Sequence, residues 1–257
     1  MTLQFPALSA LPDFFHGVFL RETADGQGHS APFNLGMGDG TSHDLVQSNR
    51  RRMVAYFGEG LCGVYGRQVH GSEVGVLRKD NMHQSQETAG QMRLNGDALI
   101  TDLPGFALVI LVADCQPVII IDPQKRVVAN VHSGWRGSVR NIIGETVERM
   151  AAEFQSRPED LVCGIGPSLG PCCAEFIHYK NELPESFLKY RHSASHFDFW
   201  EASKDQLAAA GVRLENITIS RLCTRCNPHL FFSYRGERES ARFAAVVGLA
   251  PGEGSGS

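Results

Sequence analysis

Several absences narrow what this chain can be. No apolar run approaches the ~20 residues that span a bilayer, so no membrane segment is expected. The start, MTLQFPALSALPDFF, has no basic stretch followed by a long apolar core. It does not read as a signal peptide, and the cytoplasm is the expected location. Strong charge of either sign is missing too. The 24 basic and 28 acidic residues leave a net charge of −4 with histidine neutral, so nothing electrostatic points to nucleic acid. There is no phosphate-binding Walker pattern, no internal repeat and no low-complexity block. The ten histidines are scattered without an HxH pair, which argues against a multicopper oxidase site. Seven cysteines is an odd number in a chain that is not small, so they read as mostly reduced thiols.

What is present is ordinary globular material, 42% hydrophobic and 20% charged, ample for a core. With no convincing linker, one domain over residues 1–250 is expected, followed by a flexible PGEGSGS tail at 251–257. The chain is organised around Phe106 to Gly137, FALVILVADCQPVIIIDPQKRVVANVHSGWRG. Phe106–Val112, Val118–Ile121 and Val127–Val131 are short, β-branched and bounded by turn residues, so each reads as a buried strand. The DPQK turn at Asp122–Lys125 makes a hairpin of the last two. Asp114, Cys115, His132, Trp135 and Arg136 then fall at the strand ends, where folds build sites.

The flanking segments read as follows. Residues 1–20 enter a strand. Arg21–His43 is a long Gly-, Asp- and His-rich loop. Thr41 or Ser42 caps a helix over Asp44–Phe57, with Leu45, Met53, Val54 and Phe57 buried. Gly63–Val69 is a strand that continues, after His70-Gly71, through Val74–Leu77. Residues 78–96 are an exposed loop, and Asp97–Thr101 is a strand. A helix runs from Ser138 to about Phe154, with apolar residues at helical spacing. Leu161–Ile165, Ile217–Ser220, Leu230–Tyr234 and Ala244–Leu249 read as strands, and Glu182–Tyr190 and Glu201–Ala210 as helices.

One constellation carries chemistry. His70, Cys115 and His132 supply imidazole and thiolate, the natural zinc ligands, and three protein ligands with one open position is the catalytic arrangement. Their spacing is long and adds little. The same residues also admit Cys115 as a nucleophile with His132 as its base, or a structural thiol beside a strand-capping Asp114. Cys223 and Cys226 form a lone CxxC. A zinc ribbon needs a second such pair, and the adjacent Cys172-Cys173 has the wrong spacing, so two buried thiols in a turn is the expectation.

The motifs QVHG (Gln68–Gly71), ADCQPV (Ala113–Val118) and HSGWRG (His132–Gly137) resemble those of the YfiH/LACC1 family, whose members have been called multicopper polyphenol oxidases, peptidoglycan-editing factors and purine nucleoside phosphorylases. Supporting matches are NLG (Asn34–Gly36), NRRR (Asn49–Arg52), DALIT (Asp97–Thr101), GIGPSLGPCC (Gly164–Cys173), CTRC (Cys223–Cys226) and FFSYR (Phe231–Arg235). The resemblance covers nearly the whole chain. It implies an α+β fold, a layered alpha/beta/beta/alpha sandwich similar to the catalytic domain of a deamidating bacterial toxin. It implies His70, Cys115 and His132 as metal ligands, for zinc with copper possible. The implied activity is phosphorolysis of adenosine, inosine, guanosine and methylthioadenosine, with adenosine deamination in addition.

On that reading Cys115, His132, Asp114 and Arg136 are the candidate catalytic residues. Asn34, Arg50 and Arg136 are the candidate substrate-binding residues, an arginine fork being suited to phosphate. Arg242 is a weaker candidate for the same task, and Trp135 could stack on a base. The chain departs from the family pattern at Ser133, at Ala174 where a Tyr is expected, and at Ser240-Ala241-Arg242 where a Thr-Gly-Arg turn is expected. The expected partners are small purine nucleosides and phosphate, with no nucleic acid or membrane, in a monomer or homodimer. The alternative function is a Cys–His amidase that edits peptidoglycan precursors, and a copper-dependent polyphenol oxidase ranks third.

Overall fold

The structure, a computed structural model, describes residues 2–24, 30–37, 40–82, 86–88, 91–238 and 241–250. The 251–257 tail and Ser240 lie outside them. In chain order the strands are β1 (Thr2–Leu3), β2 (Phe14–Phe19), β3 (Glu22–Ala24), β4 (Ser30–Pro32), β5 (Cys62–Arg67), β6 (Val74–Leu77), β7 (Gln86–Thr88), β8 (Gln91–Asn95), β9 (Ala98–Thr101), β10 (Phe106–Val112), β11 (Gln116–Asp122), β12 (Val127–Ser133), β13 (Val162–Ile165), β14 (Arg191–Ser193), β15 (His196–Phe197), β16 (Ile217–Ile219) and β17 (Phe243–Leu249). The α-helices are α1 (Pro6–Ser9), α2 (His43–Ala55), α3 (Trp135–Val139), α4 (Ile142–Phe154), α5 (Tyr179–Glu182), α6 (Phe199–Ala209) and α7 (Tyr234–Glu237).

Two sheets stack. One is ordered β1-β2-β17-β10-β5-β8-β7 and the other β16-β13-β11-β12-β9-β6. The apolar runs explain why. Side chains alternate across a strand, so a run that is apolar throughout must be covered on both faces. In β10, Leu108, Ile110 and Val112 enter the core between the sheets, joined there by Ile119 and Ile121 of β11. Ala107 and Val109 face the other way, under Met53 and Val54 of α2. On the second sheet, Val118 and Ile120 meet Ile143, Val147 and Met150 of α4 and Leu207 of α6. The result is a layered α/β/β/α sandwich. The β11–β12 hairpin is closed by Asp122, whose Oδ1 accepts from the N–H groups of Gln124 and Lys125 at 2.9 and 3.0 Å.

Sequence reading and structure part company in several places. Arg21–His43 is not all loop, since β3 pairs with β4, and Leu45, expected in the buried stripe of α2, is 50% exposed. Val74–Leu77 does not continue the preceding strand, because β6 joins the other sheet, beside β9. The chain crosses between sheets at His70-Gly71, and that crossing places His70. Residues 78–96 are not all loop: β8 pairs parallel with β5, and β7 pairs with β8. The helix after Gly137 is broken, since Asn141 adopts φ +58° and caps α4 through Gly144 N–H. Leu230–Tyr234 is not a strand. Phe231 and Phe232 plug the inter-sheet core from a turn, and Ser233 caps α7. Glu182–Tyr190 is cut by Pro184, so α5 ends at Glu182 and a 3₁₀ helix follows over Glu185–Tyr190.

Asn130 is buried at the inter-sheet core. The Asn130 side-chain amide donates to the carbonyls of Leu108 and Ala245 in the facing sheet, at 3.0 and 2.9 Å. Val128, Asn130 and His132 occupy one face of β12, so the face that carries this crosslink also presents His132. The break before α4 is testable. Asn141→Ala is expected to lower stability by about 1–2 kcal/mol, because alanine loses the cap and resists left-handed backbone. Asn141→Gly is expected to cost less, and urea midpoints at unchanged slope would show the order.

Candidate metal centre

Asp97 lies between Asn95, where β8 ends, and Ala98, where β9 begins, and it is 0% exposed. Its Oδ1 accepts from His70 N–H at 2.9 Å and from His132 Nδ1 at 2.8 Å. Its Oδ2 accepts from the N–H groups of Val69 and Gly71, at 3.1 and 2.8 Å. Burial pushes this carboxyl up, but the His132 bond and the Gly71 and Val69 N–H bonds outweigh it and hold it below the usual range. An ionised carboxylate only accepts, so His132 carries its proton on Nδ1 and turns Nε2 toward the cavity.

Each member of the triad is aimed by local structure. His132 projects from β12 and is 3% exposed. His70 sits at φ +60°, which lets the three N–H groups of Val69, His70 and Gly71 converge on one carboxylate. Gln68 holds the approach: its amide donates to Leu111 O at 2.7 Å and accepts from Leu111 N–H at 2.9 Å, continuing the pairing of β5 with β10. Cys115 follows Asp114, itself at φ +84°. The ligand atoms of His70, Cys115 and His132 all lie within 4.8 Å of one another. A Cβ on Gly134 would stand 2.9 Å from the His70 ring and 3.2 Å from Cys115 Sγ, so the glycine opens the space in which the three meet.

Burial raises the Cys115 thiol, yet the charge and hydrogen bond of His132, with those of His70, bring it down to about 6. His132 moves the opposite way. Burial lowers it, but Cys115 and Asp97 raise it to about 9. Each group thus favours the charged form of the other, the imidazolium the thiolate and the thiolate the imidazolium. Two imidazoles and a thiolate, with the outer histidine nitrogen on a carboxylate, fit a three-ligand zinc centre, and the same donors accept copper.

The triad borders a cavity of about 970 Å³. Arg50, Arg93, Arg136, Arg235, Arg242 and His178 line it, against Asp114, Glu175 and Glu182, so the cavity favours an anion. Arg50 is 3% exposed. Its Nε donates to Leu35 O at 2.9 Å, its Nη1 to Gln91 at 3.3 Å, and its guanidinium lies 4.7 Å over the Tyr65 ring. Arg136 also faces the cavity and stacks over Trp135 at 4.5 Å. Asp114 lines the wall, but its oxygens accept from Thr224 Oγ1 at 2.6 Å and Arg235 N–H at 2.5 Å. Asn34 lies behind the wall. Its Oδ1 accepts from the N–H groups of Gly36 and Arg242, at 2.8 and 2.9 Å. Ser133 finds a partner for its extra hydroxyl, 2.9 Å from Ser138 Oγ.

Asp97, Gln68, Gly134, Arg93, Arg235 and Thr224 escaped sequence reasoning as site residues. Asp97 lies within the DALIT motif, but nothing in one sequence ties it to a histidine 35 positions on. The pairing of β9 with β12, Ala98 opposite Val131, makes that link.

Residues 15–250 match the family model described as multi-copper polyphenol oxidoreductase laccase. The purine nucleoside phosphorylase YlmD of Geobacillus stearothermophilus is 31% identical over 243 residues, covering 90% of this chain and 89% of the relative. The purine nucleoside phosphorylase of Xylella fastidiosa (strain Temecula1) is 35% identical over 238 residues, covering 87% and 88%. The crystal structure of YlmD from Geobacillus stearothermophilus superposes with a TM-score of 0.81 at 30% identity, covering 96% of this chain and 94% of that one.

Two outcomes check the geometry. Gly134→Ala is expected to weaken zinc retention at least tenfold while the circular dichroism spectrum stays native, because the new methyl enters the ligand space. In metal-free protein, alkylation of Cys115 followed by peptide mass spectrometry should show a midpoint below the ordinary thiol value of about 8.5. The sign follows from the imidazolium, which favours the thiolate, so His132→Ala should move that midpoint up.

Proposed function

The chain belongs to the family described as multi-copper polyphenol oxidoreductase laccases, and from that premise we propose that it is a zinc-dependent purine nucleoside phosphorylase that also deaminates adenosine. The carrying observation is the triad of two imidazoles and a thiolate on a cavity lined by five arginines. Adenosine, inosine, guanosine and methylthioadenosine are the proposed substrates, in the cytoplasm.

When bound, zinc supplies Lewis acidity where His70, Cys115 and His132 converge. The chain does the rest. Asp97 keeps the His132 proton on Nδ1 and so keeps Nε2 available as a ligand. Arg50, already anchored through Leu35 O and Tyr65, offers phosphate a preorganised fork. Arg136 is proposed to add a second contact, and Trp135 beneath it a flat face for the purine. In phosphorolysis a phosphate oxygen bonds ribose C1′, and the bond to the purine nitrogen breaks with its electron pair leaving on the base. Fixed guanidinium groups hold the two reactants in register, which removes much of the orientational cost. Asp114 and Asn34 act as positioning residues, Asp114 through Thr224 and Arg235, and Asn34 through Gly36 and Arg242.

A specific observation also favours a second reading. Cys115, His132 and Asp97 line up as nucleophile, base and orienter: the ligand atoms of Cys115 and His132 lie within 4.8 Å of each other, and His132 Nδ1 is 2.8 Å from Asp97 Oδ1. Metal-free, this arrangement is that of a Cys–His amidase, and peptidoglycan precursors are the proposed substrates for it.

The two readings separate in one assay. The phosphorylase reading expects base release from adenosine only with phosphate, loss of release after chelation, and its return with zinc. Arg50→Ala should raise the phosphate KM about tenfold or more, through the loss of a charge-assisted pair of hydrogen bonds. The amidase reading expects no action on nucleosides, and amide cleavage that persists after chelation and is blocked by zinc.

A further inference from the structure

A second cluster of potential metal ligands lies outside the triad. Cys172, Cys173, Cys223 and Cys226 come from two turns, one after β13 and one after β16. Those strands are parallel neighbours, Cys163 beside Ile217 and Ile165 beside Ile219, so the turns at their ends meet. The four sulfurs all lie within 4.8 Å of one another. Cys226 Sγ is 3.5 Å from both Cys172 Sγ and Cys173 Sγ. A tetrahedral ion with metal–sulfur bonds of about 2.3 Å places its ligand sulfurs roughly 3.8 Å apart. The cluster is of that size.

The surroundings suit an ion better than a disulfide. All four cysteines are free thiols, and Cys226 is equally close to two others, with no unique partner for a bond. Gly170 lets the turns close: a Cβ there would stand 3.2 Å from Cys223 Cβ and 2.6 Å from the Trp200 ring. Four ligand atoms in so small a volume leave room for one ion and not for a multi-iron core with bridging sulfides.

We propose that Cys172, Cys173, Cys223 and Cys226 hold a single zinc ion in a closed tetrahedral thiolate site, separate from the centre of His70, Cys115 and His132. With four protein ligands it has no open position, so its role is structural. It clamps the turn that carries Ala174 and Glu175 of the cavity wall to the turn that carries Thr224. Thr224 in turn holds Asp114, the neighbour of Cys115. The clamp therefore braces the catalytic centre from behind without touching substrate.

The test uses the full chain and the variant Cys115→Ala, which disrupts the first centre and leaves the four cysteines intact. Cys115→Ala is expected to retain about one zinc per chain when purified in chelator-free buffer, as a structural thiolate site holds its ion tightly at neutral pH. Loaded with cobalt instead, it should show the intense tetrahedral d–d and sulfur-to-metal absorption of a tetrathiolate. Cys226→Ser added to Cys115→Ala should remove that absorption. Cys226→Ser alone should lower the thermal midpoint, and loss of metal should do the same in the wild-type chain. The proposal is overturned if Cys115→Ala neither retains zinc nor gives the cobalt spectrum after loading. A disulfide among these four in the protein as purified would overturn it too. Should the double variant not fold, the cobalt spectrum of Cys115→Ala alone decides.

Discussion

A carboxylate taken out of water has to be surrounded by donors or it gives up its charge. Asp97 is surrounded by four: the N–H groups of Val69, His70 and Gly71, and His132 Nδ1. This set of bonds is the constraint on which the site depends. The chain crosses from one sheet to the other at His70-Gly71, and the Asp97 carboxylate fastens that crossing. Its bond with His132 Nδ1 fixes the tautomer and the ring direction of that histidine. Removing any donor would leave buried charge uncompensated, so the two histidines are locked relative to each other before any ligand arrives.

The layers around this carboxylate work to the same end. Alternation along β10, β11 and β12 fills the inter-sheet space with Leu108, Ile110, Ile119, Ile121 and Val128. The same face of β12 then presents Asn130, which bonds across to the facing sheet, and His132, which faces the cavity. Apolar packing thus sets the depth of the histidine, while Asn130 ties β12 to β10 and β17. On the far side, the clustered sulfurs at the ends of β13 and β16 brace Thr224 and, through it, Asp114. The triad of His70, Cys115 and His132 is held between the Asp97 carboxylate clamp and the proposed thiolate clamp, each built from turns that follow strands.

Much of this was legible in the chain. The three strands between Phe106 and Val131 could be read because their apolar runs are short, β-branched and closed by turn chemistry. The triad of His70, Cys115 and His132 was legible as residue types, and through motif resemblance as a set. What stayed hidden was whatever depends on pairing between distant strands. Asp97 looked like the first residue of a strand, because only the β9–β12 register reveals its partner. Val74–Leu77 looked continuous with the strand before it, because one sequence does not show which sheet a strand joins. Cys172-Cys173 and Cys223-Cys226 looked unrelated at the level of spacing, and the parallel β13–β16 pair brings them together. Phe231 and Phe232 have the composition of a strand but are used as plugs, since burial of an aromatic ring does not require extended backbone.

The central claim is that Asp97 assembles the His70–Cys115–His132 centre. The most direct measurement is the zinc affinity of that centre in Asp97→Asn, read by competition with a chromophoric chelator while circular dichroism reports the fold. The side chain keeps its size but loses its charge and half its acceptor capacity. The account predicts a fall in affinity of about 10- to 100-fold, the range found when a partner of a ligating histidine is removed. An Asp97→Asn variant that binds zinc as tightly as the wild-type chain would contradict it.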